Sequence, residues 1–246
     1  MAVALSEITD RVFFAQTDLV NWTLVTDGGR VMLIDAGFPG QRDDVVDSVR
    51  QLGFSVGDIA AVLLTHAHVD HLGSAIWLAE THGTPVFCHE TELAHTHREY
   101  LEQASPADVV RQIWQPRWLK WAATISLRGG MNHAGIPSAR ALTSELADGL
   151  PGAPRAVATP GHTGGHCSYL VDGILVGGDA LVTGHPLLPD PGPQLLPTVF
   201  NHDQAGCLAS LDVLGALGTE VLLPGHGPAW RGPIAEAARQ AGARRG

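Results

Sequence analysis

Three imidazoles and a carboxylate fall within six residues of this chain, in Thr65-His66-Ala67-His68-Val69-Asp70-His71. Neutral imidazole and carboxylate oxygen both bind Zn²⁺, at about 2.0–2.2 Å. His66 and His68 are two apart, so in an extended chain both side chains leave on one side. Asp70 and His71 stand where an apolar run gives way to a helical pattern. Other candidates occupy tight, glycine-rich settings. His162 lies in Thr-Pro-Gly-His-Thr-Gly-Gly-His at 159–166, Asp179 in Gly-Gly-Asp-Ala-Leu at 177–181, and His226 in Pro-Gly-His-Gly at 224–227. Asp35 follows the apolar run 31–34; a carboxylate there either serves a site or caps its own turn. No Ser-His-Asp or Cys-His arrangement competes, since Ser74 and Cys167 have no motif around them.

The elements that must position these residues are legible from periodicity. Residues 11–15, 19–26 and 30–35 read as strands, with a turn at Asp27-Gly28-Gly29. Apolar positions 45, 46, 49 and 52 predict a helix over 41–52. A strand at 59–64, a helix at 71–82 and a strand at 85–88 follow. Residues 90–140 read as a mostly helical insert. Ser105-Pro106-Ala107-Asp108 starts one helix, and Pro116 interrupts it and starts another. Trp114, Trp118 and Trp121 would share a face of a continuous helix. With Ile113 and Leu119 nearby, they are candidates for an apolar wall that binds substrate, or for anchors of the insert. Strands return at 156–159, 167–171 and 174–177. An irregular Pro-rich loop at 184–197, a helix at 203–217, a strand at 221–223 and a helix within 230–243 complete the chain. Each candidate ligand sits just past an apolar strand, where open α/β sheets place their sites.

The 246 residues suffice for one domain with a sizeable core. A net charge of −10 and a single lysine, Lys120, argue against a nucleic-acid partner, which needs phosphate neutralisation. Cys88, Cys167 and Cys207 form no paired framework and read as buried thiols. The N-terminal residues lack a basic segment and a long apolar run, and no run is long enough to span a membrane. The expectation is a cytoplasmic protein acting on a small molecule, without a membrane partner.

Taken in order, Thr-His-Ala-His-Val-Asp-His, Pro-Gly-His-Thr-Gly-Gly-His, Gly-Asp-Ala and Pro-Gly-His-Gly resemble the motifs of the metallo-β-lactamase superfamily. The resemblance covers about residues 11–230. It implies an α/β fold, an αβ/βα sandwich of two mixed β-sheets flanked by helices, with the metals at one edge. It also implies two metals, Zn²⁺ with Fe or Mn as alternatives. His66, His68 and His162 would hold the first, and Asp70, His71 and His226 the second. Asp179 would bridge them, and Asp35 would orient a ligand from behind. His166 is not a ligand in that pattern. An acidic bridge is like the glyoxalase II, lactonase, RNase Z and persulfide dioxygenase branches. Many lactonases carry a Tyr three residues after the bridge, where this chain has Val182. The implied function is a dinuclear hydrolase in which a metal-bound hydroxide, oriented by Asp70, cleaves an ester, thioester or lactone. A mononuclear iron dioxygenase acting on a persulfide and a broad β-lactamase-like hydrolase are the alternatives.

Overall fold

In the computed structural model, which describes residues 3–244, the first half of the chain pairs into one sheet and the second half into another. Strands β1 (Ala4–Glu7), β2 (Val12–Gln16), β3 (Trp22–Asp27) and β4 (Arg30–Ile34) run antiparallel in chain order. Helix α1 (Arg42–Gln51) carries the chain to β5 (Ile59–Leu63), and α2 (Val69–His82) to β6 (Val86–Cys88). Both joins are parallel, the pairing that requires such a crossover. In α1, Val45, Val46 and Val49 are buried, while Asp43 and Asp44 start the helix and Arg50 ends it. Those charges complement the helix dipole.

The insert follows. It holds α3 (Leu93–Thr96), α4 (Pro106–Val110) and α5 (Pro116–Leu127), and returns through β7 (Arg140–Ala141), a parallel edge strand beside β6. After α6 (Ser144–Asp148) comes the second sheet, in the order β12-β11-β10-β9-β8. Its strands are β8 (Arg155–Ala158), β9 (Cys167–Val171), β10 (Ile174–Gly178), β11 (Val221–Pro224) and β12 (Trp230–Arg231). Helix α7 (Gln204–Gly215) crosses between the parallel pair β10 and β11, and α8 (Ile234–Ala243) follows β12.

Side-chain parity builds the layers. Met32, Ile34, Ala61 and Leu63 point to a core shared with Tyr169, Val171, Val176 and Leu223 of the other sheet. Their neighbours Val31, Leu33 and Val62 face the opposite way, onto Val45 and Val49 of α1 and Leu72 and Leu78 of α2. In the second sheet Leu175 and Leu222 face outward onto Leu211, Leu214 and Ala237 of α7 and α8. The central strands are thus buried on both sides, which explains why they read as unbroken apolar runs. Helices outside and two mixed sheets face to face give the αβ/βα sandwich.

The insert departs from expectation. Only short stretches of 90–140 are helical, and residues 128–139 are irregular. Residues 111–115 are turns, so Trp114 does not continue the face of α5. The short edge strands β1, β7 and β12 also escape the periodicity, since two to four residues carry too little pattern. All three cysteines are free and buried. No helix of the described residues is long and apolar enough to cross a membrane.

Two hydrogen bonds tie the sheets near the motif, one of them from the Cys167 amide to the Thr65 carbonyl at 2.8 Å. In the other, the fully buried Tyr169 phenol donates to the Leu64 carbonyl at 2.9 Å. Tyr169→Phe should cost about 1–3 kcal/mol, the range for a buried acceptor left unpaired. Met32→Ala should cost about 2–5 kcal/mol through the cavity it leaves. Urea unfolding of both variants measures this; a Tyr169→Phe protein as stable as wild type would show that the phenol contributes packing alone.

Candidate metal centre

Every candidate residue arrives at the C-terminal end of a strand. Asp35 follows β4, residues 65–68 follow β5, His162 follows β8, Asp179 follows β10 and His226 follows β11. Asp70 and His71 occupy the first turn of α2. Asp35 has φ +64, a left-handed conformation rare for a residue with a side chain. Its carboxylate explains why the strain is held. It accepts from the Thr65 amide (2.8 Å), the Thr65 hydroxyl (2.7 Å) and His71 Nδ1 (2.8 Å). The turn after β4 is thereby locked to the motif after β5.

Five rings are each fixed through one nitrogen. His71 Nδ1 donates to Asp35. His66 Nδ1 donates to Thr65 Oγ1 at 3.1 Å, since that hydroxyl's own proton goes to Asp35. His68 Nε2 donates to the Glu102 carbonyl at 2.5 Å, and His226 Nδ1 to the Leu19 carbonyl at 2.5 Å. His162 Nδ1 donates to Asn201 Oδ1 at 2.9 Å, and the Asn201 amide nitrogen donates in turn to Gln204 Oε1 and the Leu196 carbonyl. Each ring therefore presents its other nitrogen, lone pair outward, to a common centre.

The free atoms fall into three overlapping groups, each within 4.8 Å: His66, His68 and His162; His66, His71 and Asp179; Asp70, His71 and His226. His68 Nδ1 and His162 Nε2 are 2.9 Å apart. Asp179 spans the groups, with Oδ1 3.5 Å from His71 Nε2 and Oδ2 3.4 Å from His162 Nε2 and 3.1 Å from His226 Nε2. Bonds of 2.0–2.1 Å in a tetrahedron put neighbouring ligand atoms about 3.3 Å apart, so these separations fit a metal. Gly225 allows the approach, because a Cβ there would lie 2.1 Å from Asp179 Oδ1. Among the described residues, His66 Nε2, His71 Nε2 and Asp179 Oδ1 are buried atoms with no hydrogen-bond partner. Buried polar atoms rarely stay unpaired, and a cation would satisfy all three.

The electrostatics agree. Burial, with the neighbouring rings, holds the pKa of His66 and His68 well below the ordinary imidazole value, the neutral form that a metal needs. Burial opposes protonation of His71 too, but Asp179, Asp35 and Asp70 outweigh it and raise its pKa. Burial likewise disfavours the Asp179 carboxylate, yet His226 and His71 hold its pKa well below the usual range. Three carboxylates thus draw positive charge into a buried place, which protons or divalent ions can supply.

Above this centre lies a pocket of about 340 Å³, with His68, Asp70, His162, Asp179 and His226 on its floor. Val109, Ile113, Trp121, Ile125 and Phe200 are among its walls. The expected aromatic wall is corrected to one tryptophan. Trp121 lines the pocket; Trp118, 6 % exposed, stacks on Phe200 behind it; Trp114, 78 % exposed, stands in solvent. The break at Pro116 separates them. Ile113 is on the wall, whereas Leu119 is exposed and outside it. Val182 is fully buried and pairs with Gln194, so its side chain is in the core and not in the pocket.

Several contributors have weak or no sequence signature. His166 Nε2 accepts from the Asp179 amide at 3.1 Å, which places Asp179 without joining the centre. His185 lines the pocket 4.9 Å from the His226 ring and accepts the Leu187 amide at Nδ1, 3.2 Å away. Its proton therefore sits on Nε2. Asn201, Glu92 and Glu102 support the loops; the density of His and acids in His89-Glu-Thr-Glu-Leu-Ala-His95 hints at Glu92, and no local pattern marks the other two.

The sequence profile of the metallo-beta-lactamase superfamily matches residues 15–226. The chain is 31 % identical over 239 residues to YobT, an uncharacterized protein of Bacillus subtilis, covering 93 % of this chain and 91 % of that one. It is 29 % identical over 208 residues to YflN of the same species, named a probable metallo-hydrolase, covering 80 % and 75 %. A hydroxyacylglutathione hydrolase of Halorhodospira halophila is 33 % identical over 126 residues, which are 51 % of this chain and 34 % of that enzyme. A subclass B3 metallo-beta-lactamase from a soil metagenome library has the same fold, with TM-score 0.64, 18 % identity and coverage of 99 % and 94 %.

Asp35→Asn keeps the shape of the turn but places an amide NH₂ where only donors arrive. It should weaken metal affinity roughly 10–100-fold, as loss of a carboxylate behind a histidine ligand does. Chelator-competition titration with Zn²⁺ measures it, and unchanged affinity would limit Asp35 to capping its turn.

Proposed function

The chain belongs to the metallo-beta-lactamase superfamily, and we propose that it is a dinuclear zinc hydrolase that cleaves an ester, thioester or lactone of a small, partly apolar molecule. Metal-dependent hydrolysis is the general chemistry of that membership. The observation that carries the finer reading is the convergence of five imidazoles, each with one nitrogen already satisfied, around Asp70 and Asp179. His66, His68 and His162 form one ligand set, Asp70, His71 and His226 the other, and Asp179 lies between them. The partial match to a hydroxyacylglutathione hydrolase, named for cleaving an acyl group from glutathione, supports a thioester among the substrates.

When bound, such ions act as Lewis acids on a carbonyl and make water nucleophilic near neutral pH. The protein's own residues do the rest. The Asp70 side chain is 19 % exposed against 3 % for Asp179, so Asp70 is the carboxylate open to the pocket. Its Oδ2, 3.5 Å from His226 Nε2, is the oxygen that joins the ligand set, and the other carboxylate oxygen is left to orient the nucleophile and take its proton. Val109, Ile113, Trp121 and Phe200 hold an apolar acyl or leaving group and exclude water from the floor. Val182 offers no hydroxyl to a lactone. The His185 Nε2 proton is the neutral donor that the same wall provides.

The test begins with metal content. Protein purified without added metal should carry about two ions per chain, mostly zinc, by plasma mass spectrometry. His66→Ala and His226→Ala should each lose one preferentially. Asp70→Asn should lower kcat on an ester and thioester panel by about 10²–10⁴-fold. One iron per chain, with no turnover of the panel, would overturn the dinuclear hydrolase reading and favour a mononuclear iron dioxygenase.

The two inner tryptophans should separate. Trp121→Ala should raise KM for bulky apolar esters with little change in melting temperature. Trp118→Ala should cost about 3–5 kcal/mol of stability and leave the chain-length preference intact. An ester chain-length series with thermal melts reads both. If Trp121→Ala only destabilises, the insert does not select substrates.

A further inference from the structure

Glu92 lies outside every ligand motif, yet its side chain is fully buried. Four donors surround it. Oε1 accepts the Ala67 amide and His95 Nδ1, each at 2.8 Å. Oε2 accepts the Thr163 hydroxyl at 2.8 Å and the Gly165 amide at 3.0 Å. Ala67 is the residue between His66 and His68, and Thr163 follows His162. One carboxylate therefore joins the two loops that deliver the first ligand set, with one oxygen for each.

The surroundings are built for this span. A Cβ on Gly165 would lie 2.3 Å from the Glu92 amide nitrogen and 2.6 Å from Oε2, so only glycine lets the loop approach. His95 Nε2 accepts the Glu102 amide at 3.2 Å, which leaves the proton on Nδ1 facing Glu92. The Glu102 carbonyl accepts His68 Nε2, and its carboxylate accepts the Gly164 amide at 2.7 Å. Glu92 and Glu102 thus tie the same two loops twice. A buried carboxylate is costly unless its acceptor sites are filled. Here four donors from three segments fill them, and all four bonds are buried.

We propose that Glu92 is a positioning residue that sets the spacing between the His66–His68 loop and the His162 loop, and so pre-forms the first metal site. The inference rests on the reading of His66, His68 and His162 as ligands. Because both oxygens face donors, Glu92→Gln must turn an NH₂ toward one pair of them. It keeps the volume and loses the span on one side.

The experiment titrates metal-free wild type, Glu92→Gln and Thr163→Val with Zn²⁺ against a chromophoric chelator, and records the visible spectrum of each with Co²⁺. The expected result for Glu92→Gln is a roughly 10–100-fold weaker first site and a shifted Co²⁺ spectrum. Thr163→Val, which removes one bond of the four, should lose roughly fivefold in affinity in the same direction. It also answers the question if Glu92→Gln does not fold. A carboxylate that merely stabilised the fold would lower the melting temperature of the metal-free protein while affinity and spectrum stayed those of wild type; that result overturns the proposal. Failure of the wild type to bind either ion would overturn the ligand reading itself, and this inference with it.

Discussion

A buried cluster of five imidazoles is tolerable only if each ring has a partner for the nitrogen that does not face the centre. Here the partners are a threonine hydroxyl, two main-chain carbonyls, a carboxylate and an amide oxygen. They fix the tautomers, and with them the direction of every lone pair. The same demand explains the strained backbone at Asp35. That residue must present two oxygens to three donors at the end of a buried strand, and the surrounding core holds it there.

The sandwich makes such partners available. Two sheets packed on one another bring the C-terminal ends of β4, β5, β8, β10 and β11 to one edge. Strand ends are where the ladder stops and main-chain groups become free to bond elsewhere. Leu19 and Pro224 illustrate this: the Leu19 carbonyl receives His226, and the Pro224 carbonyl receives the Asn21 side chain, which also bonds the Gly227 carbonyl. The outer helices seal the far faces, so the strain at the edge is supported by three apolar layers.

The insert contrasts with this rigid edge. Among the described side chains of α4 and α5, Trp118 alone is buried, and Val110, Leu119 and Leu127 are exposed. Few buried contacts mean a low local free energy of opening. The wall is thus apolar toward the pocket and lightly packed from behind. The floor, in contrast, is tied through Glu92 and Glu102 and cannot yield without breaking several hydrogen bonds at once.

The candidate ligands and the strands that carry them could be picked out of the amino-acid order, and folding brings those candidates together. His66, His68, Asp70 and His71 are local in sequence, and the β and helical periods around them are set by burial of neighbouring side chains. The layered fold followed through family resemblance, and the apolar runs agree with strands buried on both faces. What the order could not show is which atom stands behind each ring. The partner of His226 is a carbonyl 207 positions away, and every residue has a carbonyl. Glu92 reads as an ordinary acid near a helix start until folding sets it between two loops 71 residues from Thr163. The three tryptophans keep helical spacing on paper, but turns at 111–115 and Pro116 send Trp114 to solvent and leave Trp121 alone at the pocket. Residue type and local period determined what could act here; only the three-dimensional pairing of main-chain groups decided how each side chain is aimed.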